Sequence, residues 1–149
     1  MREFLDDIEV GMRAVTPGRT ITEADIVNFA GLSGDYHPLH TDAAYAAATR
    51  YGQRIAHGHL VLAVGSALLL RPGVESPIPK SFIAAYGMDR VRFPHPVRIG
   101  DTIHLETEVV AIEIRDAASG VLVRESRILN QHGDLCCVFT SRALCGRRP

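Results

Sequence analysis

The stretch from Gly58 to Leu70 constrains this chain most: it carries no Asp, Glu, Lys or Arg, reads as a helix, and is stopped by Pro72-Gly73. A helix that is apolar on nearly every face has to be buried. At less than the ~20 residues needed to cross a bilayer, it is a core element and not a membrane span. Whatever else the chain folds into must cover this helix.

The cover comes from the second half of the chain. From Phe82 onward the hydrophobic period changes to about two, as in Ile103, Leu105, Thr107 and Val109 with Glu106 and Glu108 between them, and less regularly around Val121 and Val123. Turn residues at Arg98-Ile99-Gly100-Asp101, Ala118-Ser119-Gly120 and His132-Gly133-Asp134 divide this half into four long strands, the last from about Asp134 to Leu144. The expected architecture is α+β, an antiparallel meander wrapped around the central apolar helix, with one sheet edge left to pair with a second subunit. With 149 residues and no linker or repeat, positions 1–149 are expected to form one domain.

Helices precede the apolar one. Thr22 followed by Glu23 and Asp25 resembles an N-cap with carboxylates in the first turn, and Ile26, Phe29 and Ala30 recur at helical spacing. This predicts a helix over about Glu23 to Leu32, ended by Ser33-Gly34. Thr41 or Asp42 caps a second, Ala-rich helix that Gly52 closes.

Charge and cysteines narrow the partners. Sixteen Lys+Arg against 17 Asp+Glu gives no global field for nucleic acid or an anionic membrane, which favours a small-molecule partner. Cys136, Cys137 and Cys145 are odd in number and lack ligand spacing, so they are expected to be free thiols in a reducing compartment. The first residues lack an apolar signal region, and a cytoplasmic location is expected.

Chemistry concentrates in Ser33-Gly34-Asp35-Tyr36-His37-Pro38-Leu39-His40, with His57 and His59 flanking Gly58 farther on. Pro38 disfavours helical geometry at His37, so Asp35 to His40 is expected to be a turn that aims two side chains at one point. Asp35 orients His40 or shares a water with it, as acid–base catalysis near neutrality requires. A structural role, Asp35 capping a turn and His40 satisfying a buried carbonyl, stays open for such a pair taken alone. Gly58 opens the apolar helix; its N–H has no internal partner, and the missing Cβ lets a ligand oxygen approach as in an oxyanion hole. Gly65 and Ser66 read most simply as small packing residues. The wall from Leu60 to Leu70 suits an acyl chain.

The run from Phe29 to Asp42, followed by Ile55-Ala56-His57-Gly58, resembles the hydratase motif of the MaoC-like dehydratases, which include the (R)-specific enoyl-CoA hydratases. Met88 to Val97 and Ile99-Gly100-Asp101 are similar to that family's sheet region. The resemblance implies a hot-dog fold, usually dimeric, with the site near the subunit interface and a substrate carried by coenzyme A or acyl carrier protein. It implies Asp35 and His40 as the catalytic dyad for reversible syn addition of water to a trans-2-enoyl thioester, with no cofactor and no metal. Gly58 N–H would hold the thioester oxygen, and Ser66 and Leu69 would line the acyl pocket. One departure stands out: the family usually has Asn before the loop proline, and this chain has His37 as the loop support. His59 replaces a commonly apolar residue and is expected to face the interface.

Three other readings remain. A thioesterase of the same fold commonly uses a carboxylate on or near the central helix, and here none lies from His57 to Leu70. A metal site of His37, His40, His57 and His59 has workable spacings but no carboxylate-rich shell. A noncatalytic acyl-thioester-binding subunit would bind without turnover.

Overall fold

The computed structural model describes residues 2–149. Two short strands, β1 (Arg13–Val15) and β2 (Arg19–Thr20), lead into α1 (Glu23–Ser33). The Thr22 hydroxyl accepts from Asp25 N at 3.3 Å and the Asp25 carboxylate accepts from Thr22 N at 2.8 Å, a reciprocal capping box. Gly34 ends α1 at φ 77°, a left-handed geometry that glycine adopts without a Cβ clash.

The segment read as a turn contains a one-turn helix instead, α2 (Pro38–Thr41), so His40 sits on a helix and not in a loop. Pro38 does hold His37 extended, at ψ 133°, but at the first helical position its missing N–H removes no bond. The proline starts the helix where it was expected to prevent one. Asp42 caps α3 (Ala43–Ala47) by accepting from Tyr45 N at 2.9 Å.

The central helix is α4 (Gly58–Ala67), tightened into a 3₁₀ turn over Leu68–Leu70. Four long strands follow: β3 (Phe82–Arg92), β4 (Thr102–Ile114), β5 (Ser119–Leu129) and β6 (Leu135–Gly146). The sheet order is β1-β4-β5-β6-β3, with β2 also on β4, and every pairing is antiparallel. The β4-β5-β6 meander is as expected. The β3 strand departs from it, pairing with β6 and not with β4. The connection after β3 passes the entry to α4, where Ala56 N donates to Val97 O at 2.8 Å and Ile55 bridges Arg98. The β4–β5 turn falls earlier than Ala118-Ser119-Gly120, because Asp116 Oδ1 accepts from Ala118 N and Ser119 N at 2.8 and 2.7 Å and leaves Ser119 and Gly120 inside β5.

α4 lies close on the sheet. A Cβ on Gly65 would stand 2.3 Å from Ile128 Cδ1, so this glycine sets the approach of helix to strand. Around the contact pack Ile26, Leu60, Val61, Ile103, Leu105 and Phe139. A second cluster, Leu5, Ile8, Val109, Leu122, Ala143 and Cys145, fills the far end of the sheet. The three cysteines are free and buried, and desolvation pushes their thiols up to about 11.

The sheet wraps α4 as expected, and within one chain it leaves one side of the helix open. His59, Ala63, Ala67 and Leu70 form an exposed stripe at helical spacing. The terminal strand β3 is exposed along almost its whole length, with Phe82, Ile83, Tyr86 and Met88 open to solvent. A curled sheet from one chain reaches around only one side of the helix. Among the described residues no helix is long and apolar enough to cross a membrane.

Candidate active site

Three side chains converge where α1, α2 and α4 meet: Asp35 after the C-cap of α1, His40 in α2, and His57 at the N-cap of α4. Each contributes one polar atom, and all three atoms lie within 4.8 Å of one another. A single water spans such a gap with ordinary hydrogen bonds of ~2.8 Å on each side.

His40 is half-buried, and its Nδ1 lies 2.7 Å from Ile55 O. A carbonyl only accepts, so Nδ1 carries the proton and Nε2 keeps its lone pair. The structural role weighed for His40 is therefore real, and it fixes the tautomer that a base needs. Burial lowers the pKa of His40 below the ordinary 6.5, with the Ile55 bond opposing. Asp35 is exposed; the His37 N–H that donates to its Oδ1 at 3.2 Å holds the carboxyl below its usual range, with the nearby histidines acting in the same direction. At neutral pH the pair is an imidazole base beside a carboxylate.

His37 touches the site through the backbone. Its Nδ1 accepts from Leu39 N at 3.1 Å, making the imidazole the N-cap of α2. An asparagine side-chain oxygen caps a helix in the same way. The departure from the family pattern keeps the capping function, and the larger ring rests edge-on to Tyr45 and His40.

In the sequence His57 stands out as a flank of Gly58, as part of the Ile55-Ala56-His57-Gly58 motif and as a candidate metal ligand, with no role of its own in the dyad. It is 1% exposed, stacks on His40 with ring centroids 3.9 Å apart and 28° between the planes, and its Nε2 donates to the Asp35 carbonyl at 3.0 Å. Its place before a helix-opening glycine gave a sequence signal, but its burial is a tertiary fact. The stacking also disfavours a metal centre. A metal lies in the plane of each ligating imidazole at ~2.0–2.1 Å, and two nearly parallel rings do not offer their lone pairs to one such point. His37 and His59 are absent from the converging set.

Gly58 is the first residue of α4, where an N–H has no intrahelical acceptor and the helix dipole is positive. A Cβ there would stand 3.0–3.1 Å from the Phe93 ring, so the glycine lets that ring and the helix start come together. Ser66 lies near the other end of α4, about 12 Å along the axis from Gly58, and Leu69 lies beyond it in the 3₁₀ turn. The Ser66 hydroxyl donates to Ala63 O at 3.2 Å, and Leu69 is 3% exposed. Both line a groove of about 1470 Å³ under the C-terminal end of α4, whereas Asp35, His40 and Gly58 do not line it.

Comparison with known proteins gives the family and the fold. The family model described as MaoC like domain matches residues 7–130. Protein MaoC of Klebsiella aerogenes is 43% identical over 104 residues, 70% of this chain, and the chain spans only 30% of that protein's length. The (R)-specific enoyl-CoA hydratase of Aeromonas caviae is 35% identical over 128 residues, covering 86% of this chain and 88% of that one. A solved structure from Archaeoglobus, described as a monoamine oxidase regulatory protein, superposes with a TM-score of 0.92 at 36% identity, covering 99% and 97% of the two chains. With a helix cradled by an antiparallel sheet and a family match across most of its length, the chain belongs to the MaoC-like family and has its hot-dog fold.

Proposed function

We propose that this chain reversibly hydrates a trans-2-enoyl thioester to the (R)-3-hydroxyacyl thioester, with Asp35 and His40 as the catalytic dyad and Gly58 N–H as the oxyanion donor. The observation that carries the reading is the His40 tautomer: Nδ1–H is tied to Ile55 O, which leaves Nε2 free to exchange a proton beside the Asp35 carboxylate.

In the hydration direction a water held between Asp35 and His40 loses a proton to the dyad as its oxygen bonds C3. The C2=C3 π pair moves toward C2, and the negative charge spreads onto the thioester oxygen, where a backbone N–H at a helix start stabilises it. The dyad returns one proton to C2, so that one water is consumed and the dyad is restored. Water and proton come from one side of the substrate, which makes the addition syn. Dehydration is the reverse.

The acyl carrier is coenzyme A or acyl carrier protein, and Ser66 and Leu69 line the acyl chain's path along α4. The chain works as a homodimer, a reading supported by the exposed β3 at the end of the sheet and the exposed stripe of α4, both of which a second copy would cover.

The test is loss of the ultraviolet enoyl thioester band when purified protein meets crotonyl-CoA, with free thiol titrated in parallel and the product analysed for chirality. Band loss giving the (R)-3-hydroxy product without thiol release supports the proposal. Thiol release points to a thioesterase, and binding without either change points to a noncatalytic acyl-thioester-binding subunit.

A further inference from the structure

Arg124 is 8% exposed as a residue, and its Nε and Nη1 are buried with no hydrogen-bond partner among the described residues. Directly opposite on β6, Ser141 is 5% exposed and its hydroxyl is likewise without a partner. Buried polar groups are seldom left unmade, and a buried charge without a counter-charge is among the least favourable arrangements a fold can hold. Two such neighbours in one register pair mark a place where a ligand supplies the missing acceptors.

Their position names the ligand. Along a strand alternate residues share a face, so Arg124 lies on the face of β5 that carries Ile128, the residue packed on Gly65 of α4. It stands about 13 Å along the strand from Ile128. Arg124 and Ser141 line the groove that Ser66 and Leu69 also line. The other acidic and basic groups of that groove are largely engaged: Arg142 with Asp89 and Glu113, Lys80 with Glu3, Asp7 with Arg148. Five cationic side chains line the groove against two carboxylates, Asp7 and Glu75, and Arg124 is the deeply buried one.

We infer that Arg124 and Ser141 form a carboxylate-binding subsite at the far end of the acyl groove, and that the preferred substrate is an acyl thioester whose tail ends in a carboxylate. The inference rests on the reading of Ser66 and Leu69 as acyl-chain contacts. A planar guanidinium pairs with a planar carboxylate through parallel N–H donors, and the Ser141 hydroxyl adds a third. A methyl-ended tail in the same place leaves all these donors unmade, and such an omission discriminates strongly between substrates.

The experiment compares kcat/KM for a series of ω-carboxy 2-enoyl-CoA thioesters, short to long, with their methyl-ended analogues of equal length. The CoA phosphates are common to both sets and cancel in the ratio. The wild-type protein is expected to favour the carboxylate-ended member at its best length. Arg124→Met should lower that ratio at least about tenfold, the scale of a lost charged hydrogen bond, with Arg124→Lys restoring part of it and Ser141→Ala lowering it less. Hydration of crotonyl-CoA with a ratio near one, unmoved by Arg124→Met, overturns the inference and leaves the hydratase reading standing. A ratio unmoved by Arg124→Met together with a shifted dimer dissociation constant assigns the guanidinium to a carboxylate of the second copy, and also overturns it. If neither thioester is hydrated, titration of the wild-type protein and Arg124→Met with hexanoate and the neutral hexan-1-ol decides: tighter hexanoate binding that needs Arg124 upholds the subsite, and hexanoate binding no tighter than that of the alcohol, or unmoved by Arg124→Met, removes it.

Discussion

His57 lies flat against His40, ring centroids 3.9 Å apart, while its Nε2 donates to the backbone carbonyl of Asp35. One buried ring at the start of α4 thus holds both members of the proposed dyad, one by its face and one by its edge. Neither Asp35 nor His40 bonds directly to the other's side chain, so their relative position depends on this third residue and on the His40–Ile55 bond.

Replacing His57 therefore tests positioning apart from chemistry. His57→Ala removes a fully buried ring and should cost about 3 kcal/mol of stability. His57→Phe keeps a ring for the stack and loses only the donor to Asp35. The Phe variant should stay folded with kcat/KM at least about tenfold down, measured beside its thermal midpoint. Unchanged turnover in a folded Phe variant would mean that the Asp35 carbonyl needs no such anchor.

His37 separates capping from catalysis. His37→Asn keeps a cap acceptor for Leu39 N, and its stability and turnover should stay within about threefold of the parent. His37→Ala removes the cap and should lose about 1 kcal/mol. Denaturant titration of the two variants checks the ordering; an Asn variant as weak as the Ala variant would show that the ring itself matters.

The two glycines of α4 should respond in opposite ways. Gly65→Ala drives a methyl against Ile128 and should destabilise by about 1–3 kcal/mol. Gly58→Ala meets the edge of the more exposed Phe93 ring, which can shift, so its main effect should be lower turnover. Paired unfolding and kinetic measurements distinguish the two. A Gly58→Ala enzyme with full activity would argue against close approach of a thioester oxygen there.

The acid limb of the pH profile follows from His40. Its folded pKa lies below 6.5, chiefly through burial, so kcat/KM should fall only as pH drops beneath that value, while Asp35 stays ionised throughout. Stability has the same sign. Between the folded and unfolded pKa values the unfolded chain binds more protons, so the contribution is complete above about pH 6.5 and declines as pH falls through the window. A pH–rate profile with its acid limb above 6.5 would assign the base elsewhere.

Much of this could be read from residue order. The Thr22–Asp25 cap, the Gly34 stop, the apolar α4 and the period-two strands are local patterns, and the structure has them within a few residues. The α2 helix was hidden because Pro38 reads as a breaker unless its place at the first helical position is known. The pairing of β3 with β6, the bare stripe of α4 and the burial of His57 depend on contacts between residues far apart in sequence, which no local period records. For the site, Asp35, His40 and Gly58 were marked by spacing and resemblance, whereas Arg124 lay unnoticed in a strand whose alternation is irregular.

The dyad itself is tested most directly by crotonyl-CoA hydration in Asp35→Asn and His40→Ala, each compared with the parent after circular dichroism and thermal unfolding show it folded. The account predicts that each variant loses at least about a hundredfold in turnover, the scale of acid–base catalysis. Near-parental turnover in either folded variant would contradict it.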